Sequence, residues 1–298
     1  MIECVANVSE GRNAAVIEAI AAALRSTRAR LLDIHVDPDH HRSVWTTAGE
    51  GRDVESAAMV LARECVERVD LRRHAGVHPR MGALDVLPFV PLFGSSMEEC
   101  VAVARRAGAR IAEELRVPVY LYGEAASAPT RRSLHQIRGR GLPSLERRML
   151  EERFLPDFGP PTLHPTAGAT AVGARGPLVA YNVRLATDEV SVAQRIASAV
   201  RGSRGGLRGV LALGFPLETS GCAQVSMNLI GPDMPRVLDV FRRVAELARA
   251  CGTAAVGSEL VGLAPNAALA GATRCNILLD DEPAEHALET RLAEVNRP

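Results

Sequence analysis

The chain has 298 residues, a hydrophobic fraction of 47% and a formal net charge of zero, values that describe an ordinary globular protein of one or two domains. Aromatic residues make up only 3% of it, and we find no long block of one charge sign. We therefore expect neither a surface that stacks nucleic-acid bases nor one that attracts polyanions or anionic membranes.

All 35 residues counted as Lys or Arg are arginines. This excludes a lysine Schiff base, hence pyridoxal chemistry, and it excludes a Walker A loop. The six cysteines are scattered, without the close pairs of a structural zinc site or a dense disulfide framework. The N-terminal residues lack the apolar core of a signal peptide, and no apolar run approaches the length of a membrane span, so we expect a cytoplasmic protein.

Hydrophobic periodicity predicts the elements of the first half of the chain. Strands are predicted at residues 1–8, 30–36, 42–47, 84–92 and 117–123, and helices at 14–24, 53–69 and 97–115. The arginine-rich residues 130–148 are predicted to form an exposed helix or an irregular arm. Residues 156–168 are rich in proline and glycine, and small residues continue them to 173. This composition predicts a linker, or a loop where the backbone approaches a ligand.

The second half repeats this order of elements. Strands are predicted at 178–185, 209–217, 222–229 and 255–263, and helices at 189–200, 234–251 and 265–272. Strand–helix–strand–strand–helix–strand is the order of the ferredoxin-like unit, and the first half adds one strand and one helix to it. The fold class predicted is α/β (α+β), with two ferredoxin-like subdomains, 1–177 and 178–298. We expect their sheets to face each other, with helices outside and a ligand cleft between them.

Two histidines four residues apart mark the most informative stretch, residues 74–92. His78 precedes a proline, which disfavours helical geometry, so a loop is predicted there, followed by a buried strand. A titratable group on a loop held by a rigid strand is a common arrangement for a catalytic residue. The alternative is that His78 is a hydrogen-bonded loop residue and Arg80 a surface charge.

Residues 33–42 form a second cluster of groups that can bind metals. On a strand, Asp33, His35 and Asp37 share one face, because side chains alternate. His35 and Asp37, together with His74 or His78, could form a metal site. The alternative is a polar hairpin turn on the surface.

The amino-acid sequence of residues 74–92 resembles that of a known family. His78 stands immediately before Pro-Arg-Met-Gly-Ala-Leu-Asp-Val, and this run strongly resembles the segment that carries the catalytic histidine of the formiminotransferases. Further segments resemble that family at residues 4–13, 117–126, 156–160, 168–171, 224–229 and 256–263. His35 stands where animal members carry an aspartate, and residues 161–167 agree only loosely. Animal members also continue into a separate cyclodeaminase domain.

The resemblance implies a folate enzyme of histidine degradation and one-carbon metabolism. It implies transfer of the formimino group from N-formimino-L-glutamate to N5 of tetrahydrofolate, with His78 as general acid and base. It also implies a homodimer, with tetrahydrofolate as cosubstrate and no metal. The folate-binding loop that it implies consists of Gly159, Pro160, Pro161, Thr162, Leu163, His164, Pro165, Thr166, Ala167 and Gly168.

The substrate carries carboxylates, which guanidinium groups bind bidentately, so we expect Arg12, Arg42 and Arg80 to hold it. Two other functions stay open at this point. One is a metal-dependent hydrolase that uses His35, Asp37, His74 and His78. The other is a folate-binding protein without catalysis. The sequence also leaves open whether the donor is formiminoglutamate or formylglutamate.

Overall fold

A computed structural model describes residues 1–74, 80–139, 141–217 and 221–295. The chain divides into two compact units, Met1–Arg175 (unit 1) and Gly176–Pro298 (unit 2). Each unit has its own sheet and its own hydrophobic core.

Unit 1 is built on a mixed six-stranded sheet. Its strands are β1 (Ile2–Val8), β2 (Arg30–Asp37), β3 (Arg42–Gly49), β4 (Leu84–Pro91), β5 (Val119–Gly123) and β6 (Thr170–Ala174). Its helices are α1 (Ala14–Arg25), α2 (Gly51–Arg68), α3 (Met97–Leu115), α4 (Leu134–Arg138) and α5 (Leu142–Arg148). The predicted strands β1 to β5 and helices α1 to α3 are confirmed, with small shifts at their ends.

The strand order in unit 1 is β2-β3-β1-β4-β6-β5. Neighbours among the first four strands are antiparallel, whereas β6 is parallel to both β4 and β5. The prediction of a linker or loop through residue 173 was therefore wrong for β6. Its residues are small because the strand is buried on all sides: a side chain on Gly173 would meet the ring of Tyr122 at 2.5 Å.

Local signals in the sequence place the helices of unit 1. The side chain of Asn13 caps α1 by accepting from the backbone N–H groups of Ala15 and Val16. Ser96 and Glu99 form a capping box at the start of α3. The apolar faces of α1, α2 and α3 pack with one face of the sheet in a single hydrophobic cluster. Burying a large apolar side chain fully stabilises a fold by about 1.5–3 kcal/mol.

The arginine-rich arm is exposed only in part, because three of its apolar side chains are buried. Its short helices α4 and α5 place Ile137, Leu145 and Met149 in a second hydrophobic cluster with Val86 of β4 and Tyr120 of β5. This cluster lies on the face of the sheet opposite α1–α3, because neighbouring residues of β4, such as Leu87, belong to the first cluster. The apolar run of β4 follows from its burial on both faces.

Unit 2 has a four-stranded antiparallel sheet in the order β10-β7-β9-β8. Its strands are β7 (Leu178–Leu185), β8 (Val210–Leu217), β9 (Cys222–Ile230) and β10 (Ala255–Val261). Its helices are α6 (Val190–Val200), α7 (Val237–Ala250), α8 (Asn266–Leu269), α9 (Arg274–Ile277) and α10 (Leu288–Val295). The predicted order strand–helix–strand–strand–helix–strand is confirmed.

The core of unit 2 lies between its sheet and the helices α6 and α7. Alternate residues of β7, among them Tyr181 and Val183, point into this core and are fully buried. The residues between them, including Asn182 and Arg184, occupy the opposite face of the sheet. In the part of the chain that the structure describes, no helix combines the length and apolarity needed to cross a membrane.

Candidate active site

The hairpin between β2 and β3 forms the floor of the candidate site. Asp37, at the end of β2, is 8% exposed and accepts two hydrogen bonds from His40, one from its backbone N–H at 2.9 Å and one from Nδ1 at 2.6 Å. Burial by itself would raise the pKa of Asp37, but these hydrogen bonds and the nearby charge of Arg42 outweigh it and lower the pKa to about 2. Asp37 is therefore ionised at neutral pH and holds the turn closed.

The turn after β1 packs directly on this hairpin. A Cβ atom on Gly11 would lie 2.5 Å from the carbonyl oxygens of both Asp37 and Arg42, so only glycine fits there. Glu10 reaches across to His41, with 3.1 Å between Oε1 and Nε2. Burial opposes ionisation of Glu10, yet its hydrogen bonds to the backbone of residues 12 and 13 and to His41 give it a lowered pKa.

A pair of stacked histidine rings covers the hairpin. The centroids of His41 and His74 are 3.8 Å apart, with an angle of 26° between the ring planes. His74 Nε2 donates to the carbonyl oxygen of His41 at 3.0 Å. Burial lowers the pKa of His74 to about 4, and the charges of Arg80 and His41 act in the same direction. His74 is thus a neutral imidazole at pH 7.

Arg80 contacts the ring of His74. Its Nη1 contacts the ring nitrogens of His74, and its Nη2 lies 3.5 Å from the carbonyl oxygen of His40. Burial lowers the pKa of Arg80; Asp85 opposes this shift, and the other nearby arginines add to it. Those arginines include Arg12, which donates to Pro38 O at 2.9 Å, and Arg42. The structure therefore brings the three predicted carboxylate-binding arginines around one turn.

Asp85 fixes the start of β4 beneath Arg80. It is 5% exposed, accepts from Met81 N at 2.7 Å and accepts from Arg138 Nη2 at 2.5 Å. No role was predicted from the sequence for Asp85, Arg138 or Glu10. A charged residue inside an apolar strand was the available signal for Asp85, because such a residue is buried only with partners.

The predicted catalytic residue His78 lies outside the described residues. Of the stretch that contains it, the structure describes His74 on one side and Arg80 on the other, and both contact the hairpin at His40 and His41. The role of His78 therefore stays a prediction.

The predicted folate loop lies next to this stretch. His164 and Gly168 close it with a pair of backbone hydrogen bonds of 2.9 and 3.0 Å. Its end is bound to the segment after Arg80, since Ala83 N donates to Ala167 O at 2.9 Å and Ala169 N to Met81 O at 2.7 Å. Ala167 and Gly168 are buried, whereas Gly159, Pro161, Thr162 and Pro165 are exposed. The loop thus offers surface to a ligand up to Thr166 and is buried at its last two residues.

The alternative metal site gains no support from the described part of the chain. His35 lies on β2 opposite Val44, and Asp37 is engaged by His40. Among residues 1–74, 80–139, 141–217 and 221–295, no group of three or more His, Cys, Asp or Glu side chains is placed to hold a metal ion.

Comparison with known proteins connects both units to one family. Residues 1–175 match the family described as formiminotransferase domain, N-terminal subdomain, and residues 180–283 match the formiminotransferase domain. A glutamate formimidoyltransferase of Streptococcus pyogenes serotype M1 is 40% identical over 282 residues, which cover 94% of each chain. A glutamate formimidoyltransferase of Thermoplasma acidophilum is 39% identical over 98% of this chain and 97% of its own. The formimidoyltransferase-cyclodeaminase of Rattus norvegicus is 42% identical over 90% of this chain, which spans 51% of that relative.

Proposed function

The chain belongs to the formiminotransferase family, and from this premise we propose that it is a glutamate formimidoyltransferase. It transfers the formimino group from N-formimino-L-glutamate to N5 of tetrahydrofolate, a step of histidine degradation and one-carbon metabolism. The observation that carries this proposal is its similarity, over nearly the full length of both chains, to two relatives named for that activity.

The reaction needs a proton to move between two nitrogens. N5 of tetrahydrofolate attacks the formimino carbon, so that an N–C bond forms and a tetrahedral intermediate results. The bond from that carbon to the glutamate nitrogen then breaks, and glutamate leaves as an amine. One imidazole with a pKa near about 6.5 can take the proton from N5 and return it to the leaving nitrogen. We assign this role to His78.

The neutral state of His74 supports the assignment of acid–base catalysis to His78, because it gives His74 a structural role instead. With a pKa of about 4, His74 is a poor base at neutral pH and is committed to the His41 carbonyl and to Arg80. His78 is two residues before Arg80, so the covalent chain keeps their Cα atoms within about 8 Å of each other. An acid–base group at this position contributes typically about 10²–10⁴-fold to the rate.

Arg12, Arg42 and Arg80 are proposed to bind the carboxylates of the donor. Their convergence around one turn supports this, since grouped guanidinium charges that repel one another are stabilised when an anion binds between them. Holding the donor and the folate together supplies much of the remaining rate by proximity. Residues Gly159–Gly168 are proposed to contact the folate.

Several expectations from the sequence stay predictions. They are homodimer assembly, the cytoplasmic location, the absence of a metal, the ferredoxin-like classification and the facing arrangement of the two sheets.

The test is a turnover assay with tetrahydrofolate and formiminoglutamate on the wild type, His78→Ala and the matched control His135→Ala. His135 is exposed on α4. We expect His78→Ala to lose about 10²–10⁴-fold in kcat while folate binding is kept, and His135→Ala to behave as the wild type. In the same assay Arg80→Ala should raise the KM for formiminoglutamate.

Three outcomes would contradict parts of the proposal. Full activity in His78→Ala would remove the histidine from the mechanism. An unchanged KM in Arg80→Ala would remove the carboxylate assignment. A wild type that binds folate without turnover would exclude formiminoglutamate as the donor, and formylglutamate would be the next one assayed.

A further inference from the structure

Residues 81–83, just before β4, have a tightly fixed backbone, and we refer to them as the anchor. Ser9 Oγ donates to Gly82 O at 2.7 Å, and Ser9 N donates to Ala83 O at 2.8 Å. Residues 167–169 add the two backbone hydrogen bonds described above. A Cβ atom on Gly82 would lie 2.0 Å from the carbonyl oxygen of residue 169, so only glycine fits there. The anchor therefore cannot shift without breaking these contacts.

Asp85 connects the anchor to the arginine-rich arm. Its Oδ1 accepts from Met81 N at 2.7 Å, and its Oδ2 accepts from Arg138 Nη2 at 2.5 Å. The side chains of Asp85 and Arg138 are both largely buried. A neutral oxygen would be enough to accept from one backbone N–H, and a buried ion pair adds little net stability. The charge of Asp85 is therefore better explained by the connection to Arg138 than by stability.

Arg138 is itself held in place by the region around it. Arg148 of α5 donates from Nη1 to Ile137 O at 3.0 Å and from Nη2 to Gln136 O. These two carbonyl groups directly precede Arg138 in α4. The guanidinium group of Arg148 lies over the ring of Phe154, 3.8 Å from its centroid. The connection from Asp85 thus ends on a backbone that further contacts fix.

Arg80, one residue before the anchor, lies close to both partners of this connection. Burial lowers the pKa of Arg80; of the charges around it, Asp85 opposes this shift and Arg138 adds to it. The backbone of Gly141 also lies against Arg80, because a Cβ atom on Gly141 would be 3.3 Å from Arg80 O. Arg80 is therefore placed by its covalent bond to the anchor and by the arm that packs beside it.

We propose that Asp85 and Arg138 are positioning residues of the transferase reaction, which fix the anchor and thereby hold Arg80 in the orientation that binds the donor. This inference rests on the proposed function, because that function makes formiminoglutamate the ligand of Arg80. It deepens the function by giving the arm of α4 and α5 a part in donor recognition. A displacement of about 1 Å at a group that positions a substrate can cost about 10²-fold in rate.

The test compares the steady-state kinetics of the wild type, Asp85→Asn and Arg138→Gln at a temperature where the fluorescence of Trp45 shows each protein to be folded. In Asp85→Asn a single oxygen replaces the two that now accept from Met81 N and Arg138 Nη2, so one of these contacts is lost. We expect the KM for formiminoglutamate to rise about 10-fold in both variants, the usual effect of losing a hydrogen bond to a charged group. The KM for tetrahydrofolate should stay as in the wild type. A purely structural role would lower the amount of folded enzyme without changing either KM.

A conservative variant and a matched control accompany these measurements. Arg138→Lys keeps a charge for the single contact with Asp85, and we expect it to restore the KM for formiminoglutamate. The control is Asp157→Asn. Asp157 is also buried and accepts from one backbone N–H, that of Leu121 at 2.7 Å, and from one arginine of the arm, Arg131 at 2.7 Å. Neither partner belongs to the anchor, so this variant should lower stability and leave the KM for formiminoglutamate unchanged.

A double-mutant cycle shows whether Asp85 acts through Arg80. In the background of Arg80→Ala, adding Asp85→Asn should raise the KM for formiminoglutamate no further, because residues that act as a unit are not additive. Independent, multiplying effects of the two substitutions overturn the inference. It is also overturned if Asp157→Asn raises this KM as much as Asp85→Asn does.

The inference and the proposed function can fail separately. A wild type that turns over formiminoglutamate while Asp85→Asn keeps its KM retains the function and removes the inference. If the wild type does not turn over, the proposed function fails, and calorimetric binding of formiminoglutamate decides the inference. Weaker binding in Asp85→Asn but not in Asp157→Asn then supports it, and equal binding in all three proteins overturns it. A wild type that neither binds nor uses formiminoglutamate overturns both.

Discussion

The two units share one strand order but differ in whether their paired charged side chains are buried or exposed. The order β2-β3-β1-β4 in unit 1 corresponds to β8-β9-β7-β10 in unit 2. In unit 1 several carboxylates are buried with their partners: both side chains of Asp37–His40, Asp85–Arg138 and Arg131–Asp157 are 15% exposed or less. In unit 2, pairs such as Arg243–Glu246 lie on helix surfaces, 44% and 60% exposed.

This difference indicates where each unit is specialised. Buried charges are costly unless they are paired, so a fold gains little stability by collecting them. They do fix side chains in defined positions, which a site for proton transfer requires. Unit 1 has such groups around the hairpin and at the start of β4, whereas unit 2 has buried amides and one carboxylate on a sheet face. The same topology thus supports buried charged pairs in one unit and a sheet face with buried amides in the other.

The largest expected effect tests the buried ion pair of unit 1. Asp85→Ala leaves Arg138 without its partner, and we expect the free energy of unfolding of unit 1 to fall by about 3–5 kcal/mol. Urea titration followed by tryptophan fluorescence measures it, because the single tryptophan of the chain, Trp45, is fully buried in unit 1.

The matched control for this variant is Glu246→Ala, which breaks a surface pair of unit 2. We expect it to change stability by no more than about 0.5 kcal/mol. An equal shift in both variants would contradict the contrast between the units. A tryptophan transition that Asp85→Ala does not move would show that the buried pair contributes nothing to stability.

An intermediate effect tests how tightly the turns of the two units are packed. Gly11→Ala in unit 1 places a methyl group 2.5 Å from two carbonyl oxygens, and we expect a loss of about 1–3 kcal/mol by overpacking. Gly205→Ala in unit 2 meets no atom of the described residues within 4 Å and strains only a positive φ of 82°, which costs about 1 kcal/mol. Equal losses in the two variants would mean that backbone strain, and not packing, sets the cost at Gly11.

The smallest effect is the pH dependence contributed by His74. Its pKa of about 4 in the folded chain is below the ordinary value of 6.5. Between these values the unfolded chain binds a proton that the folded chain does not, so stability falls as pH is lowered from 6.5 towards 4. The half-buried ring is partly screened by solvent, and we therefore expect about 1 kcal/mol from it.

Urea titrations at several pH values measure this contribution. His74→Gln should flatten the slope of stability between about pH 6.5 and 4.5, above the range where Glu10 titrates. His135→Gln, which changes an exposed histidine, should leave the slope as in the wild type. Identical slopes in wild type and His74→Gln would show that His74 is not the neutral, buried group described above.

Hydrophobic patterns predicted most of the fold. Alternation marks strands such as β7 and β8, which bury one face, and a continuous apolar run marks β4, which is buried on both faces. They failed for β6, where close packing on all sides leaves only small residues and removes the pattern that marks a strand. They also failed for the arm of α4 and α5, whose three buried apolar residues are spread among arginines. In both places the tertiary contacts, and not the local sequence, decide the structure.

The candidate site was predictable where one contiguous segment carries it. The resemblance of residues 78–86 indicated the stretch, and the guanidinium groups of Arg12, Arg42 and Arg80 suggested carboxylate binding. Sequence could not show that His41 stacks on His74, or that Asp85 reaches Arg138, because these contacts join segments more than thirty residues apart. Burial decides which of several histidines is neutral, and burial depends on the assembled fold.

The position of β6 has a consequence for how the protein forms during synthesis. It is the last strand of unit 1 in the chain, yet it lies between β4 and β5 and alone connects them. Until residue 174 has left the ribosome, the nascent chain exposes an unpaired edge on each of these two hydrophobic strands, and such edges promote aggregation. We therefore expect a nascent chain arrested shortly before β6 to bind chaperones, and one arrested well beyond β6 to be released from them.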